Sequence, residues 1–195
     1  MFFMKTRDVD IRASLHHRLK QEHVGELENT LILDELSLCQ GEARIDVAVV
    51  NGAINGYEIK SESDTLERLP RQSEIYNRVF DTVTILTASR FIDGIVDIIP
   101  DWWGVVTAEM EDDETVHFFS FREPQQNEYI DPLALAQLLW KDEAIDILKN
   151  RDLHKGLLSK SRPVLWAALA EKLELKDLQD EVRSKLKARS NWKVQ

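Results

Sequence analysis

Apolar residues recur along this chain at two different spacings, which predict helices in some segments and strands in others. In segment 8–22 the apolar positions are four residues apart, so we expect an amphipathic helix with Asp8 as its N-cap. These positions are Ile11, Leu15 and Leu19. Next come three short runs rich in Val, Ile and Tyr, which predict consecutive strands at 30–38, 43–51 and 54–62.

The turn between the second and third of these strands has a strong signal. Asn51-Gly52 is a dipeptide typical of tight hairpin turns, so we expect the two strands to lie side by side and antiparallel. Together with the strand before them they predict an antiparallel meander.

A second helix is predicted by an apolar stripe that runs through 64–80. Asp64 and Glu67 have the spacing of a capping pair, but Pro70 lies inside the stripe. The helix therefore either kinks at Pro70 or begins there. The next predicted elements are a buried strand at 82–89, a short helix at 90–99, strands at 104–110 and 115–121 around an acidic turn at 111–114, and three or four further helices.

This order of elements predicts an α/β fold with a boundary near residues 123–127. We expect one domain at 1–126 and a helical C-terminal extension at 127–195.

Charge is distributed unevenly along the chain. The 195 residues carry a formal net charge of −10. Residues 1–149 hold 14 Lys/Arg against 29 Asp/Glu, a net of −15, whereas residues 150–195 hold 11 against 6, a net of +5. Such an asymmetry is typical of a polyanion-binding tail, and equally of a helical cap with a solvated face. The basic positions concerned include Arg183, Lys185, Lys187, Arg189 and Lys193.

The composition also restricts the compartment. No run of about 18 apolar residues exists, and charged residues follow directly after Met1-Phe2-Phe3-Met4, so we expect neither a membrane span nor a signal peptide. The single cysteine, Cys39, excludes an internal disulfide. We expect a cytoplasmic protein with no membrane partner.

The predicted hairpin brings three reactive side chains together. Asp46 lies on its first strand, and Glu58 and Lys60 share one face of its second strand, because side chains alternate with period two. Two adjacent carboxylates repel each other unless a cation neutralises them, and hard oxygen ligands favour Mg²⁺ or Mn²⁺. The amine of Lys60 can orient a water molecule or offset charge on a phosphorus centre.

The segment RIDVAVVNGAINGYEIK, which contains Asp46, Glu58 and Lys60, resembles the signature of the PD-(D/E)XK nuclease superfamily. That signature is an Asp on one strand and Glu-x-Lys on the next. The superfamily core, which is a helix, a three-strand meander, a helix and a strand, has the same order as residues 8–89. The resemblance implies a restriction-endonuclease-like core.

Gln72 and Tyr76 have the QxxxY spacing found in the RecB-like branch of that superfamily. The resemblance implies that both line the active site, since residues at i and i+4 project from one helix face. The segment GYEIKSESDTLERLPRQSEIYNRVFD is also similar to a small family of uncharacterised bacterial proteins assigned to this superfamily. A second Glu-x-Lys, Glu174-Leu175-Lys176, has no partner strand and is expected to be a chance match.

The resemblance implies that Asp46 and Glu58 hold Mg²⁺ or Mn²⁺ with help from the backbone carbonyl of Ile59. Superfamily members commonly carry a further glutamate before the Asp. Glu35 on the first strand and Glu22 on the first helix both compete for this role, and we favour Glu35. Whether the site holds one or two metal ions is left open.

The activity that the resemblance implies is metal-dependent hydrolysis of phosphodiester bonds. We expect DNA as the substrate, with RNA as an alternative, and we expect Arg44, Arg68 and Arg71 to contact phosphates near the site. The alternative function is a nuclease-like fold that binds nucleic acid or a protein partner with little turnover. The oligomeric state is left open.

Overall fold

The structure is a computed structural model that describes residues 6–110 and 115–189, and it has an α/β fold with one six-stranded sheet. Its elements are α1 (Asp8–Glu22), β1 (Leu31–Leu38), β2 (Ala43–Val50), β3 (Ile54–Lys60), α2 (Leu69–Tyr76), β4 (Thr82–Thr87), α3 (Ile92–Val96), β5 (Gly104–Met110), β6 (Val116–Arg122), α4 (Pro132–Ala136), α5 (Lys141–Asn150), α6 (Arg162–Lys172) and α7 (Leu175–Ala188). The predicted α/β class and element order are confirmed. The predicted turn at 111–114 and Lys193 lie outside the described residues.

The six strands lie in the sheet in the order in which they occur in the chain. β1, β2 and β3 pair antiparallel, so the predicted meander is confirmed, and Asn51-Gly52 forms the turn between β2 and β3. β4 pairs parallel with both β3 and β5, and β6 returns antiparallel to β5. Parallel neighbours need a crossover connection, and α2 and α3 lie in these two connections.

One face of the sheet packs against α1, whose bounds agree with the prediction. The buried stripe of α1 forms one hydrophobic cluster with residues of β2 to β6. This cluster is separate from the core on the other face of the sheet. The prediction that Asp8 caps this helix is wrong. Arg7 occupies the N-cap position, and Asp8 is the first helical residue, where its carboxylate pairs with Arg12 one turn later at 3.2 Å. Among the described residues, no helix combines the length and apolar character needed to cross a bilayer.

The other face of the sheet carries the larger core, which the C-terminal helices share. Leu165 of α6 and Val182 of α7 are fully buried in one cluster with Ile45, Val50 and Tyr76. The segment after residue 126 is therefore packed on the sheet. Several of its basic side chains form ion pairs with acidic neighbours within the same segment. These pairs are Lys185 with Asp146, Arg183 with Asp180 and Arg189 with Glu143.

α2 begins at Leu69 and has Pro70 in its first turn, where the missing N–H costs no helical hydrogen bond. Of the two alternatives, the structure supports a helix that begins at this proline, and the kink is not seen. The predicted end at residue 80 is wrong, because α2 ends at Tyr76. The capping role predicted for Asp64 is wrong, because its carboxylate accepts hydrogen bonds from the backbone N–H and the hydroxyl of Ser61, at 2.8 and 2.6 Å. α3 is shorter than the predicted segment 90–99, since it ends at Val96.

Asp131 joins the C-terminal helices to the segment after α2. One carboxylate oxygen caps α4 by accepting from the backbone N–H of Leu133 at 2.8 Å, and the other pairs with Arg78 at 2.8 Å. Burial raises the pKa of Asp131, but the hydrogen bonds from Arg78 and the α4 backbone outweigh it and leave this pKa below its ordinary value.

Gly104 begins β5 at a close approach between chain segments. A Cβ atom at this position would lie 2.8 Å from the ring of Pro124 and 2.9 Å from the hydroxyl oxygen of Thr84. Only a residue without a side chain fits at this point.

Candidate functional site

The candidate site lies where β2 and β3 stop pairing. Their ladder runs from Val50 opposite Ile54 to Val47 opposite Tyr57. At the next residue of β2, a side chain replaces the backbone pairing: Asp46 Oδ2 accepts a hydrogen bond from the backbone N–H of Ile59 at 2.7 Å. The carboxylate is thereby fixed between the two strands and borders a cleft.

Glu58 and Lys60 lie on the next strand at the same cleft, and both are buried. Lys60 Nζ donates to Glu58 Oε1 at 2.6 Å and to Gln72 Oε1 at 3.1 Å. Gln72 Nε2 in turn donates to Glu58 Oε1 at 2.7 Å. These three side chains form a closed ring of hydrogen bonds, so the orientation of the Lys60 amine is fixed by two partners.

Tyr76, one turn after Gln72 on α2, contacts the second oxygen of Glu58. Its Oη lies 2.8 Å from Glu58 Oε2 and 2.8 Å from the carbonyl oxygen of Arg44, and it accepts from Gln72 Nε2 at 3.2 Å. The ring is stacked on Trp103 with 6.0 Å between centroids. Burial and the negative charge of Glu58 raise the pKa of Tyr76, so the hydroxyl stays protonated and remains a donor.

The predicted convergence of Asp46, Glu58 and Lys60 is confirmed as geometry. All three line one cleft of about 550 Å³, and Gln72 lines it with them. Burial and the charge of Glu58 raise the pKa of Asp46 to about 7, although the N–H of Ile59 and the charge of Arg12 oppose this. The half-buried Asp46 and the buried Glu58 therefore destabilise each other when both are ionised, and a cation would relieve that repulsion.

Arg12 of α1 reaches this site and is the residue that sequence reasoning missed. Its guanidinium donates to Asp46 Oδ1 at 3.0 Å and to the carbonyl oxygen of Asp46 at 2.7 Å. It also pairs with Glu35 at 3.1 Å and Asp34 at 3.6 Å. The available signal was its position beside the apolar stripe of α1, four residues after Asp8.

Glu35 lies at an irregular point of β1. Asp34 pairs with Val47 and Leu36 pairs with Ile45, but Glu35 between them has a φ of 57°, in the left-handed region. This conformation is uncommon for a residue other than glycine and is often found at functional sites. The carboxylate of Glu35 is held between Arg12 and Arg44, with 2.6 Å to Arg44.

Glu22, the alternative to Glu35, is at the other end of α1. It pairs with Arg18 at 2.6 Å and borders a separate cavity of about 240 Å³. Glu35 lines the cleft with Asp46, whereas Glu22 does not. Of the two alternatives, the favoured Glu35 therefore lies at the cleft, and Glu22 does not, because it is at the far end of α1.

The three predicted phosphate contacts, Arg44, Arg68 and Arg71, all line the same cleft. Arg44 pairs with Glu35, and Arg71 pairs with Glu42 at 3.3 Å with a largely exposed side chain. The side chain of Arg68 forms no ion pair with any other residue in the described parts of the chain. The rim therefore offers exposed positive charge beside Asp46 and Glu58.

The carboxylate oxygens of the cleft are the ligands that it could offer a metal ion. Residues 6–110 and 115–189 contain no group of three or more His, Cys, Asp or Glu side chains that could hold one. A carboxylate offers about four acceptor sites. Three donors reach Glu58 and two reach Asp46, so each has capacity left. Mg²⁺ is commonly bound by one or two carboxylates with water and substrate phosphate, and the residues present fit that pattern.

Three comparisons relate the chain to known proteins. The family model described as bacteriophage P4 protein cII matches residues 3–194. Protein cII of Enterobacteria phage P4 is 26% identical over 189 residues, which cover 94% of this chain and 67% of the phage protein. Among solved structures, a protein of unknown function from Silicibacter pomeroyi, SPO1766, matches with a TM-score of 0.43 and 18% identity, covering 76% of this chain and 94% of that one. Because the family model spans nearly the whole chain, this protein belongs to the family of bacteriophage P4 protein cII.

Proposed function

We propose that this protein is a Mg²⁺- or Mn²⁺-dependent nuclease with a restriction-endonuclease-like core. The single observation that carries the proposal is the meeting of Asp46, Glu58 and Lys60 in one cleft, at the point where β2 and β3 separate. The two carboxylates can bind a divalent cation and the amine can orient a water molecule, and metal-assisted phosphodiester hydrolysis uses both functions.

Two further observations support the same proposal. α1, the meander β1–β3, α2 and β4 follow in the order of the PD-(D/E)XK core. Gln72 and Tyr76 of the QxxxY spacing both hydrogen-bond to Glu58. Lys60 also donates to Gln72, so both residues of the Glu-x-Lys motif contact the QxxxY pair. The chance match Glu174-Leu175-Lys176 has no such partner motif in the sequence.

Each residue has a distinct role in the proposed reaction. Asp46 and Glu58, with the Ile59 carbonyl, hold the cation, and Glu35 adds a further acid at the edge of the site. The cation supplies Lewis-acid stabilisation of negative charge on the scissile phosphate. Lys60 orients the attacking water. Gln72 and Tyr76 fix Glu58 and, through Gln72, the amine of Lys60.

The proposed substrate is DNA, with RNA as the alternative. The protein is acidic overall, so its long-range electrostatic field repels polyanions. Positively charged side chains near the site must therefore provide the contacts with the nucleic acid. Arg44, Arg68 and Arg71 at the rim of the cleft are placed to bind phosphates beside the buried acids. Such contacts position a strand without reading its sequence.

Cleavage of supercoiled plasmid DNA with and without Mn²⁺ tests the proposal. We expect nicking by the wild type only with the metal ion, and a loss of at least 100-fold in Lys60→Ala, the typical contribution of a positioned catalytic group. Lys176→Ala is the matched control, because Lys176 belongs to the second Glu-x-Lys and is exposed on α7. Equal nicking by wild type and Lys60→Ala contradicts the enzyme assignment. Metal-independent DNA retention without nicking would instead indicate a binding module.

A further inference from the structure

Arg12 lines the cleft and contacts several acidic side chains. Its guanidinium lies within 3.6 Å of carboxylate oxygens from four residues. These are Asp8, Asp34, Glu35 and Asp46. The Arg12 side chain is 20% exposed and that of Asp46 is 19% exposed, so the contact is partly shielded from water. One positive charge therefore stands where several negative charges meet.

The β1–β2 ladder is irregular at the point where Arg12 binds. At the point where β1 and β2 would continue their ladder, Glu35 has a φ of 57° and its pairing with Asp46 is interrupted. The carbonyl oxygen of Asp46 accepts from Arg12 at 2.7 Å. A left-handed residue inside a strand is strained, and the ion pairs of Glu35 with Arg12 and Arg44 help to offset that strain.

We infer that Arg12 is a resident counter-ion, which holds Asp46 and Glu35 in the metal-free protein and is displaced from them when a divalent cation binds. This inference rests on the proposed function. Arg12 donates to Asp46 Oδ1 and the Ile59 N–H donates to Oδ2, so a divalent cation that binds Asp46 approaches an oxygen that already has a donor. Two positive charges at one carboxylate repel each other, so the cation and the guanidinium compete for it. The planar guanidinium is suited to holding several oxygens at once. Arg12 is thus a positioning residue that sets the affinity for the metal ion.

Competition between Arg12 and the divalent cation predicts the direction in which Mn²⁺ affinity changes when Arg12 is replaced. Removing the positive charge of Arg12 leaves the carboxylates uncompensated, so the cation should bind more tightly and the metal-free protein should be less stable. A simple structural role predicts the reverse for binding, because a loosened Asp46 would be a poorer ligand. The two roles therefore differ in the direction of the change in Mn²⁺ affinity.

Mn²⁺ binding by Arg12→Gln, measured by isothermal titration calorimetry, tests the inference without reference to activity. We expect Kd for Mn²⁺ to fall at least tenfold, while thermal unfolding in EDTA occurs at a lower temperature than in the wild type. Arg18→Gln is the matched control, because Arg18 lies on the same helix and pairs with Glu22 away from the cleft. It should leave Kd unchanged.

A second measurement uses the wild-type protein, in case Arg12→Gln does not fold. The guanidinium ¹⁵N resonances of Arg12, assigned by their loss in Arg12→Lys, should shift during titration with Mg²⁺, with the same midpoint as metal binding. The resonances of Arg18 should not move. Arg12 resonances that stay constant at saturating Mg²⁺ overturn the inference.

The outcomes separate the inference from the proposed function. Equal or weaker Mn²⁺ binding by a folded Arg12→Gln overturns the inference alone, because the wild type still binds the ion. Binding by Arg12→Gln but not by the wild type supports it. No binding by either protein overturns the inference together with the metal dependence of the proposed function.

Discussion

Replacing Tyr76 by Phe removes one buried hydroxyl and leaves the aromatic packing in place. The ring of Tyr76 stacks on Trp103 and meets Phe80 edge to face at 5.8 Å, and Phe retains both contacts. The hydroxyl lies 2.8 Å from Glu58 Oε2. In Tyr76→Phe, the buried carboxylate of Glu58 keeps the donors Lys60 and Gln72 on its other oxygen only.

The expected cost follows from these contacts. A hydrogen bond to a charged group contributes about 1.5–3 kcal/mol, and the loss leaves a buried acceptor oxygen without its partner. We therefore expect Tyr76→Phe to lower the free energy of unfolding by about 2 kcal/mol. In a Glu58→Gln background the acceptor is neutral, so the same substitution should cost only about 1 kcal/mol.

Urea unfolding followed by circular dichroism measures both values, with the slope against urea required to stay constant. Tyr129→Phe is the matched control, because Tyr129 is 80% exposed, and it should change the free energy of unfolding by less than about 0.5 kcal/mol. If Tyr76→Phe changed stability no more than Tyr129→Phe does, the hydrogen bond to Glu58 would not contribute as argued.

Three further predictions concern the rim, the sheet and the C-terminal helices. Arg68→Ala should weaken the binding of a short DNA duplex, measured by fluorescence anisotropy. It should also reduce the slope of log Kd against log salt concentration by about 1, because one phosphate contact is lost. Lys160→Ala removes a positive charge outside the cleft and should leave that slope unchanged. Gly104→Ala should lower the free energy of unfolding by about 1–3 kcal/mol because its Cβ would overlap neighbouring atoms, whereas Gly52→Ala, with open space around it, should be neutral in the same urea titration. Asp131→Asn should cost less than about 1 kcal/mol at pH 7, since the pair with arginine is about one-third exposed. Because the pKa of Asp131 is lowered in the folded state, its stabilisation is present above the ordinary pKa and is lost as the pH falls through the folded value. The difference between wild type and Asp131→Asn should therefore be constant above about pH 5 and shrink as the pH falls below 3.8, the ordinary pKa of this carboxyl, and a constant difference down to pH 2 would contradict this role.

Much of the fold could be predicted because its signals are local. The four-residue spacing of Ile11, Leu15 and Leu19 predicts α1 with its observed bounds. Asn51-Gly52 predicts the hairpin, and period-two alternation then brings Asp46 and Glu58 to one region. Errors occurred where a side chain had a competing partner close by in the sequence. Asp8 and Asp64 have the types and positions of helix caps, but Arg12, four residues after Asp8, and Ser61, three residues before Asp64, bind them instead.

The sequence by itself determined the order of the helices and strands, the meander and the strand positions of Asp46, Glu58 and Lys60, since these depend on spacing between near neighbours along the chain. Only the tertiary structure decided that Arg12 reaches Asp46, that Glu35 rather than Glu22 borders the cleft, and that the C-terminal helices share the larger core. The physical reason is that these contacts join residues tens of positions apart. They depend on how α1 and the C-terminal helices pack against opposite faces of the sheet, and no periodicity in the sequence encodes that placement.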